Sequence, residues 1–131
     1  MRVCGIELKA NNVVLVVLDE REFMDLKIKK ITLENDEQQD DIRQFCNDFL
    51  IFLEENRVER VYIKKRAKKG TFAGGAVTFK MEGLIQLNPV CSVELVSAQA
   101  VSAFERKNEL LLPLKLKKYQ EQAYLTALSS L

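Results

Sequence analysis

Between positions 64 and 76 the chain reads KKRAKKGTFAGGA. Lys64, Lys65, Arg66, Lys68 and Lys69 concentrate positive charge, and Gly70, Gly74 and Gly75 let the backbone approach a ligand closely. Such a stretch suits an anion, because cations attract it and the amide donors at the start of a following helix point outward. It lacks the Gly-Lys-Ser/Thr ending of a P-loop and the glycine spacing of a dinucleotide fingerprint, so it does not predict a nucleoside triphosphate site. Backbone phosphates of a nucleic acid fit the pattern, with Thr71 and Thr78 as hydroxyl donors and Phe72 as a stacking platform for a base. Two ordinary readings stand beside these: a solvated basic loop, and Phe72 and Phe79 as core anchors.

The remaining composition narrows the chemistry. Histidine is absent, which removes Ser-His-Asp and Cys-His pairs and histidine-ligated metals. Cys4, Cys46 and Cys91 are far apart, each beside apolar neighbours, and read as buried free thiols in a reducing cytoplasm. Carboxylate and lysine chemistry is left, with a hard cation such as magnesium on carboxylate oxygens as the open catalytic class; no cofactor is required by the sequence. With 20 basic and 19 acidic residues, net charge makes no case for a polyanionic partner, so any such case rests on local clusters. Besides the basic stretch these are an acidic block, Glu34 to Asp41, and a second basic group at Lys115, Lys117 and Lys118. The longest apolar run, Val13 to Leu18, is far short of the roughly 20 residues that span a bilayer, so no membrane partner is expected.

The elements that must position these residues fit one domain over residues 1–131. A first strand at about 2–9 alternates Cys4, Ile6 and Leu8 with Val3, Gly5 and Glu7, which places Glu7 near its carboxyl end. A turn at Ala10-Asn11-Asn12, where asparagine tolerates the left-handed region, leads to the apolar strand 13–18. The shifted parity of Leu26/Ile28 and Ile31/Leu33 predicts a third strand over 24–33 with a bulge near Lys29-Lys30. Asn35 is placed to cap a helix whose apolar stripe includes Ile42, Phe45, Phe49 and Leu53. A short strand at 60–64, a helix over 74–87, a strand at 92–96 and a short helix at 98–107 follow. The last helix begins in the second lysine group and carries the stripe Leu116, Tyr119, Ala123, Ala127, Leu128 and Leu131. Lysines there oppose the helix dipole, and a bound polyanion would offset that, as would contacts from Lys118 to Glu121 or Gln122.

This order predicts an α/β fold: a five-stranded mixed sheet, three antiparallel strands then two parallel, with helices on both faces and the fourth strand beside the first. The crevice at the carboxyl ends of the strands is the expected ligand site, and Glu7, the basic loop and the start of the last helix all come near it. An acidic residue ending a first strand VCGIELK, within that order, resembles the ribonuclease H-like superfamily, in particular its Holliday-junction resolvase branch. VCGIELK, KGTFAGGAVTFKMEG, IQLNP and the SVELVS strand together resemble the bacterial family known as domain of unknown function 3010 over nearly the whole chain.

The resolvase resemblance implies magnesium-binding carboxylates ending strands one and four and on the last helix. Glu7 and Glu121 occupy two of those places; the strand-four place falls on Lys64 or Lys65, and Tyr124 and Leu125 stand where a further acid belongs. The expectation is a cytoplasmic nucleic-acid-binding domain with a degenerate metal site, in which Lys64 or Lys65 pairs with Glu7. Phosphates would meet Lys64, Lys65, Arg66, Lys68, Lys69, Gly70, Thr71, Gly74, Gly75 and Lys117. The alternatives are a magnesium-dependent nuclease that recruits Glu82 or Glu94 to Glu7 and Glu121, and a protein-interaction module using the acidic block.

Overall fold

The computed structural model describes residues Met1 to Leu131. The first two strands, β1 (Arg2–Lys9) and β2 (Asn12–Asp19), pair antiparallel along their whole length, from Arg2 opposite Asp19 to Lys9 opposite Asn12. The tight turn between them is made by Ala10, whose φ is 52°, so an alanine and not an asparagine takes the left-handed position. The expected third strand is instead two short ones, β3 (Glu22–Met24) and β4 (Lys30–Thr32), which pair with opposite ends of β2. Residues 25–29 leave the sheet between them, a wider break than a bulge. Leu15 bridges that break. Its N–H donates to the Lys29 carbonyl, while its own carbonyl accepts from the side chain of Gln120, 105 residues away.

Helix α1 (Gln39–Glu55) follows, and the parallel strand β5 (Arg60–Lys64) then lies beside β1, with Gly5 opposite Tyr62 and Ile6 opposite Ile63. After the basic loop come α2 (Ala76–Gln86), strand β6 (Ser92–Val96) parallel to β5, α3 (Ala98–Lys107), a single 3₁₀ turn at Lys118–Gln120 and α4 (Glu121–Ser129). The sheet order is β3-β2-β1-β5-β6, with β4 also on β2. It is the mixed α/β arrangement expected from the sequence, with six strands because the third is divided.

Two cores flank the sheet. Cys4, Ile6, Leu8, Val13, Leu15 and Val17 pack under Phe45, Phe49 and Phe52 of α1 and Met81 and Ile85 of α2. On the other face Val3, Val14, Val16, Leu18 and Tyr62 pack under α3 and α4. Alternation along β1 and β2 thus serves both layers, and β2 is continuous apolar sequence because both its faces are covered.

Three helix boundaries differ from the sequence reading. Helix α1 is preceded by Gln38 at its cap, and Asn35 lies earlier, its side chain accepting from the Glu37 N–H in a turn. Helix α2 starts at Ala76, two residues late, because Gly74 and Gly75 stay in the loop. Helix α4 starts at Glu121, so Lys115 and Lys117 lie outside it and Lys118 opens the 3₁₀ turn. Its buried residues run without interruption from Ala123 to Leu128, whereas Tyr119 and Leu131 are exposed. The expected stripe fails because α4 is enclosed by the sheet and α3, so no single face is apolar.

Gly5 sets how close α4 lies to the sheet. A Cβ there would fall 2.1 Å from the Ala123 carbonyl oxygen and 2.7 Å from the Ala127 methyl. Helix backbone therefore rests directly on strand backbone, an approach only glycine allows.

Candidate functional site

The site grows from strand register. Val3, Gly5 and Glu7 share the α4 face of β1, and Tyr62 shares it on β5. One alternation beyond the Gly5/Tyr62 pair, Glu7 lies two residues before the end of β1 and Lys64 is the last residue of β5, which places both toward the carboxyl edge on that face. Helix α4 runs antiparallel to β1: Ala123 and Ala127 lie over Gly5, and Gln122 reaches the end of β5. Its first residues, Glu121 and Gln122, therefore stand at the same carboxyl edge as Glu7 and Lys64.

The expected Glu7 pairing is not what forms there. The Lys64 ammonium donates to the Gln122 side-chain oxygen at 2.8 Å, and neither Lys64 nor Lys65 makes an ion pair with Glu7. The acceptor is a neutral amide, and Glu7, half-buried, is in no ion pair. No three acidic or cysteine side chains converge anywhere in the molecule as a metal-holding group. Glu94 sits opposite Tyr62 on the half-open β6, and Glu82 belongs to α2, which covers the other face of the sheet. Neither joins Glu7. The residues present do not make a divalent-cation cage, since several converging carboxylate oxygens are required and a lysine ends the neighbouring strand.

The basic loop is tied to this edge at its start and closed on itself at its end. Arg66 donates from Nη1 to the Leu8 carbonyl at 2.8 Å, Lys65 donates its N–H to the Val96 carbonyl at 2.7 Å, and Gly74 closes the loop onto the Ala67 carbonyl at 2.8 Å. Gly70 turns the chain with φ of 93°. At Gly74 a Cβ would meet Thr78 Cγ2 at 3.0 Å and the Arg66 Cβ at 3.3 Å, so glycine permits this closure. Thr78 is buried beneath it and is not a surface hydroxyl, contrary to expectation. Thr71 is exposed, and Phe72, 85% exposed, is not a core anchor, whereas Phe79 is half-buried.

Lys65, Arg66 and Lys68 line an open cleft of about 410 Å³ whose opposite wall is Ser97, Ala98 and Gln99. Ser97 caps α3, its hydroxyl accepting from the Ala100 N–H, so the unbonded amides of the first turn lie at this wall. Sequence reasoning missed this wall, although a serine directly before a helix is a readable cap. It missed Gln120 as well, and named Gln122 only as a contact for Lys118 and not for Lys64, because neutral amides carry no charge or periodicity signal. Lys117 is exposed, its N–H accepted by Gln120 Oε1 at 3.0 Å; Lys118 makes no hydrogen bond or ion pair with Glu121 or Gln122. All three cysteines are free, Cys4 buried and Cys46 and Cys91 half-buried, with desolvation raising each thiol pKa above its ordinary value.

The sheet order 3-2-1-5-6, with Glu7 near the carboxyl end of the central strand and α4 lying against that strand, is a ribonuclease H-like fold. The chain belongs to the family described as protein of unknown function DUF3010, which it matches over residues 1–130. Among solved structures it is similar to Thermus thermophilus RuvC in complex with a Holliday junction substrate, at TM-score 0.66 and 15% identity, covering 98% of this chain and 91% of that one. A second Thermus thermophilus RuvC structure gives TM-score 0.66 at 12% identity, over 98% and 92% of the two chains. The Fowlpox virus resolvase with substrate Holliday junction DNA gives TM-score 0.51 at 12% identity, over 98% and 90%. No curated protein matches the chain. No helix is long and apolar enough to cross a membrane.

Proposed function

We propose that this protein is a nucleic-acid-binding domain of ribonuclease H-like fold that holds backbone phosphates without cutting them. The observation that carries the reading is the cleft in which Lys65, Arg66 and Lys68 face the amide end of α3. Cations and unpaired amides across one opening suit a string of phosphates, and the loop's ties to Leu8 and Val96 hold it in place before binding. Two of the solved structures of this fold are resolvases with Holliday junction DNA, which supports the same class of partner here. Lys69, Gly70, Thr71 and Gly75 extend the surface on one side, Gly74 allows the closure, and Lys117 adds charge near α4. Phe72 is free to stack on an unpaired base. Lys64 is the weakest contact of the set, because its ammonium is engaged by Gln122.

The metal position of the fold is degenerate in this reading: Glu7 and Glu121 remain, and Lys64 puts positive charge where a cation would need a carboxylate. The test is fluorescence anisotropy of labelled four-way junction, duplex and single-stranded probes at low and physiological salt. Tight binding that weakens steeply with salt is expected; absent or salt-independent binding to every probe overturns the proposal. Cleavage of any of them in magnesium that disappears in Glu7→Ala would replace it with the nuclease reading.

A further inference from the structure

Away from the phosphate-facing edge, one flank of α1 and the strand β4 bound an open groove of about 540 Å³. Its inner wall is Ile31, Phe45 and Phe52, and Ile28 and Ile51 leave 50% and 43% of their surfaces exposed along it. Glu34, Asp41, Asp48 and Glu55 stand around these apolar groups, one on the segment after β4 and three spaced down the flank of α1. None of the four is in an ion pair. Lys30 is the single cation lining the groove, and its ammonium is turned over the Tyr119 ring at 5.4 Å, so it does not neutralise them.

The backbone of β4 is open as well. This strand pairs only with β2, with Ile31 opposite Val13; the flanking bonds at Lys29 and Leu33 also run toward β2. By alternation the N–H and C=O groups of Lys30 and Thr32 point to the outer edge. A free strand edge beside an apolar floor, ringed by four carboxylates outside any ion pair, of which Asp48 accepts from the Gln44 side chain, has the components of peptide recognition by strand addition.

We propose that this groove docks an extended, lysine- or arginine-rich peptide segment of a partner protein along the outer edge of β4. Its main chain bonds Lys30 and Thr32, its apolar side chains rest on Ile28, Ile51 and Phe52, and its cations lie among Glu34, Asp41, Asp48 and Glu55. The charge complement selects this partner: a nucleic acid would be repelled by the same four carboxylates. The basic loop lies beyond β5 and the groove beyond β2, so the two surfaces can be filled together.

The test titrates the isotope-labelled full chain with a synthetic peptide of six Lys-Val repeats and with its Glu-Val counterpart. Amide signals of Thr32, Asp48 and Glu55 should shift with the first peptide and not the second. The double variant Asp48→Asn/Glu55→Gln, isosteric at exposed helix positions, should weaken that binding at least tenfold, whereas Lys65→Gln/Lys68→Gln/Lys69→Gln should leave it unchanged. Shifts mapping elsewhere, or an affinity unaltered in the double variant, overturn the proposal. So does a free chain that is already a dimer with the β4 amides protected from exchange, which would give the groove to a second copy.

Discussion

Lys64→Glu turns the end of β5 from cation to carboxylate beside Glu7, and should convert a chain with little affinity for magnesium into one that binds it. Adjacent strands lie roughly 5 Å apart, so a divalent ion held by Glu7 feels the residue-64 charge at about that distance. In the fully solvated limit one unit charge there contributes about 1.7 kcal/mol against a divalent cation, and exchanging plus one for minus one changes the balance by about 3 kcal/mol. Lys64 is half-buried, so this limit is a floor. The expected gain is on the order of 10²-fold in magnesium or manganese affinity. Lys64→Gln, which removes the charge without adding one, should give about half the free-energy change. Isothermal titration of the three proteins measures it directly. The reasoning is refuted if the unsubstituted chain already binds magnesium as tightly as the Lys64→Glu variant, or if that substitution gains less than threefold.

Gly5→Ala should destabilise the fold by about 3 kcal/mol or more, read as a lowered urea midpoint, because its methyl would need the space of the Ala123 carbonyl. Gln120→Leu strands the Leu15 carbonyl without a donor in a buried setting and should cost about 1–3 kcal/mol in the same assay. Phe72→Ala should leave stability within about 0.5 kcal/mol, given its exposure, yet weaken binding to single-stranded probes by about 1–3 kcal/mol. Equal single-strand affinity in that variant would remove the stacking role.

The parts of the fold legible in the sequence are those where one local pattern decided the outcome. Period-two alternation gave β1, a continuous apolar run gave β2, and the phenylalanines at helical spacing gave α1. The division of the third strand depends on Gln120 supplying the hydrogen bond that a continuous strand would have supplied to Leu15, a contact between distant segments that no local window contains. Helix α4 hid its stripe for a similar reason: with Ala123 to Leu128 all enclosed, burial follows tertiary surroundings and not helical period. At the site, Glu7, Lys64 and the basic loop were legible because strand ends and charge runs are sequence features. The partner of Lys64 was not, since a carboxylate is the natural expectation for a lysine and the structure gives it an amide.

Phosphate holding by the basic loop is the central claim, and its most direct test is the salt dependence of four-way junction binding. It compares the unsubstituted chain with Lys65→Gln/Lys68→Gln/Lys69→Gln, three side chains whose removal breaks no internal side-chain hydrogen bond. If each lysine neutralises one phosphate, the slope of log K against log salt should flatten by about 2.7 in the variant, and affinity at low salt should fall. A slope unchanged by the three substitutions would contradict the account.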